Sequence, residues 1–173
     1  MFKTNFFLNP KREQGRSLRS IILYYLKLPL TQLGLWLGFI NIEYSYVHGE
    51  KTRLKIGKKC STMNTIFNVI SGEIHIGDNT IFGHDCMVLT GTHEFYGGVR
   101  GSLLDIPVDE TPLSGRDIVI GTGCFVGSGV IIQGKLSIGK NVLIASGSVV
   151  TKNLPDSCFV AGIPAKVIKS FND

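Results

Sequence analysis

From Ile120 onward an aliphatic β-branched residue returns at every sixth position: Ile120, Val126, Ile132, Ile138, Ile144 and Val150. The same beat runs through Ile76, Phe82 and Val88 and, more weakly, through Ile56 and Thr62. Four places after each beat residue stands a second apolar or small side chain: Cys60, Thr80, Cys86, Thr92, Cys124, Val130, Leu136, Val142, Ser148 and Leu154. An amphipathic helix repeats at about 3.6 residues and a half-buried strand at about 2, so neither produces this period. Hexads of this kind build a parallel β-helix, in which about three of them complete one turn of a triangular prism. Glycine follows the beat at Gly57, Gly77, Gly83, Gly121, Gly127 and Gly139, on corners where a turning chain leaves little steric room.

The beat divides the chain. Coils begin near Leu54, and the first holds about two extra residues near Asn68 and Val69. Residues 76–93 read as one clean turn, with His75 on the same edge as His93 one coil away. The beat then stops over residues 94–117, which contain Gly97, Gly98, Gly101, Pro107, Pro112 and Gly115. Loops longer than about 12–15 residues inside a compact domain are usually functional. Two further turns end near Pro155, and successive turns stack at about 4.8 Å. Residues 156–169 form the closing segment: a strand, a turn at Gly162–Pro164 and a short return.

Residues 1–53 read as a separate N-terminal segment before the β-helix domain of residues 54–169. Its first part is basic (Lys3, Lys11, Arg12, Arg16, Arg19), and residues 21–40 are apolar and aromatic. That stretch has the length of a membrane span, but Lys27, Pro29 and Gln32 interrupt it. It starts too late for a signal peptide and lacks a small-residue cleavage site. Short helices capping the open end of the β-helix are the favoured reading, since terminal repeats need a cap. A surface-lying segment in peripheral contact with a membrane is the second reading, and a true span the third.

Composition adds limits. The chain has 173 residues, 43% hydrophobic and 18% charged, with a net charge of +5. This suits anionic ligands or a membrane surface, but the dense basic stripe of a nucleic-acid binder is absent. Four cysteines without a CxxC pair argue for a reducing, cytoplasmic setting and against a zinc ribbon. Cys60, Cys86 and Cys124 share one hexad slot and read as buried fillers, while Cys158 lies outside the repeats. His93 ends a hexad immediately before the long loop, which sets an imidazole at the lip of the prism. With an ordinary pKa near 6.5, such a group takes a proton from an alcohol at neutral pH. His84, beside Asp85 on an outward corner, is a candidate for the acceptor site, with plain solvation as the other reading. A zinc site would need ligands converging at about 2.0–2.1 Å, and no metal is expected at His75, His84 and His93.

The run IGDNTIFGHDCMVLTGTH, the long loop, IGTGCFVGSGVIIQGKLSIGKNVLIASGSVVTKNLP and AGIPAKVIK together resemble the bacterial hexapeptide-repeat acyltransferases. The nearest likeness is to galactoside and maltose O-acetyltransferases and to acetyltransferases of surface-polysaccharide synthesis, over residues 54–169. The resemblance implies a left-handed parallel β-helix and a homotrimer with active sites between subunits, where acetyl-CoA lies along a groove. It implies His93 as general base, cofactor contacts at Ser128, Ser146, Thr151 and Lys152, and Lys166 at the phosphate end. Phe125 is expected beside the cofactor groove or in a subunit contact, and Asn64 at a sugar-positioning place. A loop carboxylate or a backbone carbonyl would orient the imidazolium, and Glu94, Asp105, Asp109 and Glu110 are the carboxylates available. The implied reaction is acetyl transfer to a sugar or glycan hydroxyl. Rival readings are an amino-sugar or nucleotide-sugar N-acetyltransferase, a zinc hydratase of carbonic-anhydrase type and a non-enzymatic β-helix scaffold.

Overall fold

The computed structural model describes Leu33 and residues 45–104 and 111–171. Leu33 apart, these residues belong to one compact unit, Glu43–Asp173. Its first seven strands are β1 (Tyr46–His48), β2 (Leu54–Ile56), β3 (Ser61–Thr62), β4 (Ile66–Asn68), β5 (Ile74–Ile76), β6 (Ile81–Phe82) and β7 (Met87–Leu89). An insert follows, carrying the hairpin β8 (Phe95–Tyr96) and β9 (Val99–Arg100). The coils resume with β10 (Ile118–Ile120), β11 (Phe125–Val126), β12 (Ile131–Gln133), β13 (Leu136–Ile138), β14 (Leu143–Ile144) and β15 (Val149–Val150). An antiparallel hairpin of β16 (Cys158–Gly162) and β17 (Ala165–Ser170) closes the unit, matching the strand, turn and return expected for the tail.

These strands make three stacked sheets. Sheet A is β1-β4-β7-β12-β15, sheet B is β2-β5-β10-β13, and sheet C is β3-β6-β11-β14-β16-β17. Every pairing within them is parallel except β16 with β17. Each coil visits B, C and A in turn, so the unit is the three-sided parallel β-helix that the hexads predict. Ile118 pairs with Leu136, Phe125 with Leu143 and Ile131 with Val149, each 18 positions on. Across the insert, Ile76 still meets Ile120, Phe82 meets Val126 and Val88 meets Ile132. The excursion therefore leaves the prism undisturbed. The first coil does carry extra residues between β4 and β5, partly offset by one fewer between β3 and β4.

The beat marks the inward direction. Phe82, Val88, Ile120, Val126, Ile132, Ile138, Ile144 and Val150 are all buried, and so are Thr80, Cys86, Cys124, Val130, Leu136, Val142 and Ser148 in the second slot. Each fully buried aliphatic side chain favours folding by about 1.5–3 kcal/mol. Small donors suit the second slot because they reach the coil above. Thr80 Oγ1 donates to the Gly121 carbonyl at 2.8 Å, Cys86 Sγ to Gly127 at 3.2 Å, and Cys124 Sγ to Gly139 at 3.1 Å. Half-buried Cys60 does the same to Gly77 at 3.2 Å. Cys158, given no role from sequence, is buried in β16. Desolvation pushes the thiols of Cys86, Cys124 and Cys158 up, so these sulfurs are fillers rather than nucleophiles.

Two expectations of the hexad count need correction. Ile56 is 45% exposed, because sheet B ends at β2 and no described strand stacks beyond it. In the coil before the insert the second slot is filled not by Thr92 but by fully buried Ile118, which pairs with Leu136 of the next coil, because the chain leaves the prism directly after β7 and regains it only at β10.

The corners use glycine for two reasons. A Cβ on Gly121 would lie 2.6 Å from the Gly139 carbonyl carbon and 2.7 Å from Lys140 N, so the next coil admits no side chain there. Three places after the beat the chain is left-handed: φ is 72° at Gly123, 57° at Asn79 and 53° at Asn141, and asparagine tolerates this region almost as glycine does. The cap expected over residues 1–53 lies, up to residue 44 and apart from Leu33, outside the described residues. Within that span β1 adds a strand to sheet A. Among the described residues no helix is long and apolar enough to cross a membrane.

Candidate active site

The insert leaves and rejoins the prism at the corner between sheets A and B, and a hydrogen-bond knot fastens its two limbs. Thr90 Oγ1 and N both donate to the Asn68 carbonyl, at 2.8 and 3.0 Å, and Thr90 Oγ1 accepts from Ser71 N at 3.2 Å. On the return limb Arg116 N donates to the Ser71 carbonyl at 3.1 Å, and Arg116 Nε donates to the Thr90 carbonyl at 2.8 Å. Arg53 adds bonds of 2.8 Å to the carbonyls of Ile70 and Leu113. Thr90, Arg53 and Arg116 are not among the sequence candidates, and Asn68 entered there only as the place of the first coil's extra residues. The available signal was the boundary of the broken beat, where a strand must be left and regained.

His93 lies three residues beyond Thr90 and is exposed, at the root of the insert and past the point where the chain leaves the prism, so residues 76–93 do not complete the clean turn that the hexad count implies. Glu94 is half-buried, and its carbonyl accepts from Gly101 N at 3.0 Å. No hydrogen bond joins the Glu94 carboxylate to the imidazole among the described residues. Asp105, with Asp109 and Glu110, lies outside them.

A second group lines the corner between sheets C and A. Ser128 Oγ accepts from His84 N at 3.1 Å, Gly129 N donates to the His84 carbonyl at 2.9 Å, and Gly147 N donates to Ser128 O at 2.9 Å. His84, Ser128 and Ser146 thus form a column of exposed corner residues. Asn64 extends it in the first coil, two residues past Thr62 as His84 is two past Phe82, and adopts φ 49°. Phe125 stands on sheet C between Ile81 and Leu143, 46% exposed. Thr151 and Lys152 are exposed on the A–B corner of the last full coil, two turns or about 10 Å along the axis from the root of the insert. Lys166, also exposed, pairs with Ala161 on the outermost strand of sheet C.

The candidate residues therefore divide between two edges of one chain. His93 is on the A–B edge, and Asn64, His84, Ser128 and Ser146 are on the C–A edge. Sheet A, three residues or about 10 Å wide, separates them.

His75 is not one coil from His93 on a shared edge. It sits in sheet B with Lys55 and Val119 as lateral neighbours, because the chain leaves the coil before reaching His93. Its Nε2 is 2.8 Å from Glu73 Oε2, and Lys55 Nζ reaches the same oxygen at 2.8 Å. These contacts, Lys55 first, lower the exposed Glu73 carboxyl below its ordinary value. An open depression of about 440 Å³ on this sheet, lined by Lys55, His75, Val119 and Lys140, is on a different face from sheet A. Among the described residues no three His, Cys, Asp or Glu side chains group to hold a metal ion.

Residues 117–152 match the bacterial transferase hexapeptide family (six repeats). The chain is 31% identical over 102 residues to galactoside O-acetyltransferase of Escherichia coli K12, covering 58% of this chain and 45% of that protein. It is 30% identical over 112 residues to the E. coli K12 protein WbbJ, named for O-acetyl transfer in lipopolysaccharide biosynthesis, covering 64% and 57%. Among solved structures, a maltose O-acetyltransferase of Clostridium difficile 630 superposes with a TM-score of 0.58 at 27% identity, covering 76% of this chain and 68% of that one. A hexapeptide-repeat acetyltransferase of Vibrio cholerae, solved with acetyl coenzyme A, shares the fold with a TM-score of 0.62 at 24% identity, over 75% and 68%. Over these spans the chain is similar to hexapeptide-repeat acetyltransferases. It spans about half the length of the curated relatives it matches.

Proposed function

We propose that the chain is an acetyl-CoA-dependent O-acetyltransferase acting on a carbohydrate hydroxyl in cell-surface polysaccharide synthesis. The observation that carries this reading is an exposed imidazole fixed at the root of an insert, one sheet-width from an open, serine-lined edge. His93 takes the proton as the acceptor oxygen attacks the thioester carbonyl, and a tetrahedral intermediate forms. Backbone N–H groups of a neighbouring coil stabilise its oxyanion. The intermediate collapses by expelling the CoA thiolate, which takes the proton back from the imidazolium. No acyl-enzyme is needed, in keeping with cysteines that are buried and hard to ionise.

Ser128, Ser146, Phe125, Thr151, Lys152 and Lys166 are the proposed contacts of acetyl-CoA. The Ser128 hydroxyl already accepts from His84 N and keeps its own proton to donate. Asn64, His84, Glu94 and Asp105 are the proposed acceptor-side residues. The enzyme works as a homotrimer, in which the His93 edge of one copy faces the serine edge of the next. Outward apolar columns support this: Tyr46, Ile66, Met87, Ile131 and Val149 on sheet A, and Ile81, Phe125, Leu143 and Phe159 on sheet C. The column on sheet B is mostly polar, with Lys55, His75, Val119 and Ser137. The proposed setting is the cytoplasm, with residues 1–40 available for contact with a membrane carrying a lipid-linked acceptor.

The test is thiol release from acetyl-CoA across a panel of mono- and oligosaccharides, with and without free amines. Hydroxyl-dependent release is expected, and His93→Ala should lower turnover by about 10²–10⁴-fold while leaving CoA binding intact. Release only with amine acceptors, or full turnover in the variant, would overturn the reading.

A further inference from the structure

We propose that Arg116 is a positioning residue for His93, an inference that rests on His93 being the base. The place of the exposed His93 imidazole depends on the main chain that leads to it. That main chain is held at two consecutive residues. The Thr90 carbonyl accepts from Arg116 Nε at 2.8 Å, which fixes the plane of the Thr90–Gly91 peptide. Gly91 is pressed against the Asn68 amide, where an added Cβ would lie 2.7 Å from Nδ2 and 2.9 Å from Oδ1.

Arg116 is itself anchored on the return limb by its N–H to the Ser71 carbonyl, and its Nη2 reaches toward Gly134 on the next coil, 3.9 Å from where a Cβ would stand. One guanidinium thus ties the exit limb to the return limb. The neighbouring Asp117 carboxylate secures the same junction by accepting from Glu73 N at 2.8 Å. A planar, always-charged donor suits this task, because its direction does not change with pH. Without Arg116 the Thr90 carbonyl turns toward water and the TGTH segment swings with it. A displacement of about 1 Å at a reacting group costs on the order of 10²-fold in rate. The proposed cofactor contacts at Ser128 and Ser146 are on the other edge and keep their own bonds.

The experiment compares Arg116→Ala, Arg116→Lys and His93→Ala in the thiol-release assay, with CoA affinity and thermal midpoint measured alongside. For Arg116→Ala, kcat should fall by about 10–100-fold with KM for acetyl-CoA within about twofold. Added guanidinium at low millimolar concentration should restore part of kcat in that variant and none in His93→Ala, and Arg116→Lys should fall between. If Arg116→Ala does not fold, Gly91→Ala displaces the same segment from the Asn68 side and should show the same loss confined to kcat, without rescue by guanidinium. Wild-type kcat in folded Arg116→Ala, or in Gly91→Ala, would overturn the positioning role. So would a loss shared equally by kcat, CoA affinity and thermal midpoint. Inactive His93→Ala beside unaffected Arg116→Ala refutes positioning alone, whereas active His93→Ala refutes the reading beneath it.

Discussion

Replacing Gly121 with alanine puts a methyl group where two coils already touch. Its carbon would sit 2.6 Å from the Gly139 carbonyl carbon and 2.7 Å from Lys140 N, both main-chain atoms. Ordinary carbon contacts lie at about 3.5–4.0 Å, so the coils must part by about 1 Å locally. Neither coil is free to do so, since Gly121 N donates to the Ile138 carbonyl at 2.9 Å and Gly139 N to Leu154 at 3.0 Å. Overpacking of this kind costs about 1–3 kcal/mol, and a ladder bond lost in relieving it about 1 more. Gly121→Ala should therefore destabilise the fold by about 2–4 kcal/mol.

Gly123 is the control, two residues away. It has φ 72°, and a side chain added there would point into open space, with nothing within 4 Å of its Cβ. Asn79 and Asn141 hold the equivalent place in other coils, so Gly123→Asn should stay within about 0.5 kcal/mol of wild type. Urea unfolding followed by far-UV circular dichroism measures both, read as a shift of midpoint at constant slope. A Gly121→Ala variant as stable as wild type, or a Gly123→Asn variant at least as damaged, would refute the stacking argument.

Burial raises the thiol pKa of Cys86 and Cys124 above the ordinary 9.0, so the folded protein keeps protons that the unfolded chain has begun to lose. That contribution to stability is complete below the unfolded thiol value and is lost as pH rises through the folded one. Urea midpoints should fall as pH rises through and beyond the ordinary thiol range, and fall less in a Cys86→Ala/Cys124→Ala variant; equal slopes would contradict this. A thiol reagent should label neither cysteine in the native protein within minutes, and rapid labelling would show the core to be open. Ser71 Oγ is buried with no partner among the described residues, so Ser71→Ala should hold or raise stability by up to about 1–2 kcal/mol. A clear fall in thermal midpoint would mean that the hydroxyl is bonded.

What could be read from the chain was whatever repeats. Ile120 to Val150 point inward because each sits at the same phase of an 18-residue turn, and the phase survives in one dimension. The same count implies which corner carries Ser128 and Ser146. What the count lacks is any knowledge of where a coil is abandoned or what stacks beneath it. Thr92 keeps the phase although the chain has already left at Thr90, and Ile56 keeps it although sheet B ends there. The clamp on the His93 segment joins Asn68, Thr90 and Arg116, polar residues with no period and separated by up to 48 positions. Only the folded arrangement brings them together.

Subunit complementation tests the central claim, that His93 of one copy serves a thioester on the serine edge of another. His93→Ala chains keep the serine edge, and Ser146→Trp chains, with that edge blocked, keep the histidine. Neither variant alone should turn over, but co-expressed in equal amounts they should regain about one quarter of wild-type activity, the share of random trimer sites with both intact edges. Activity that stays at the level of the single variants in demonstrably mixed oligomers would contradict the account and place the whole site within one chain.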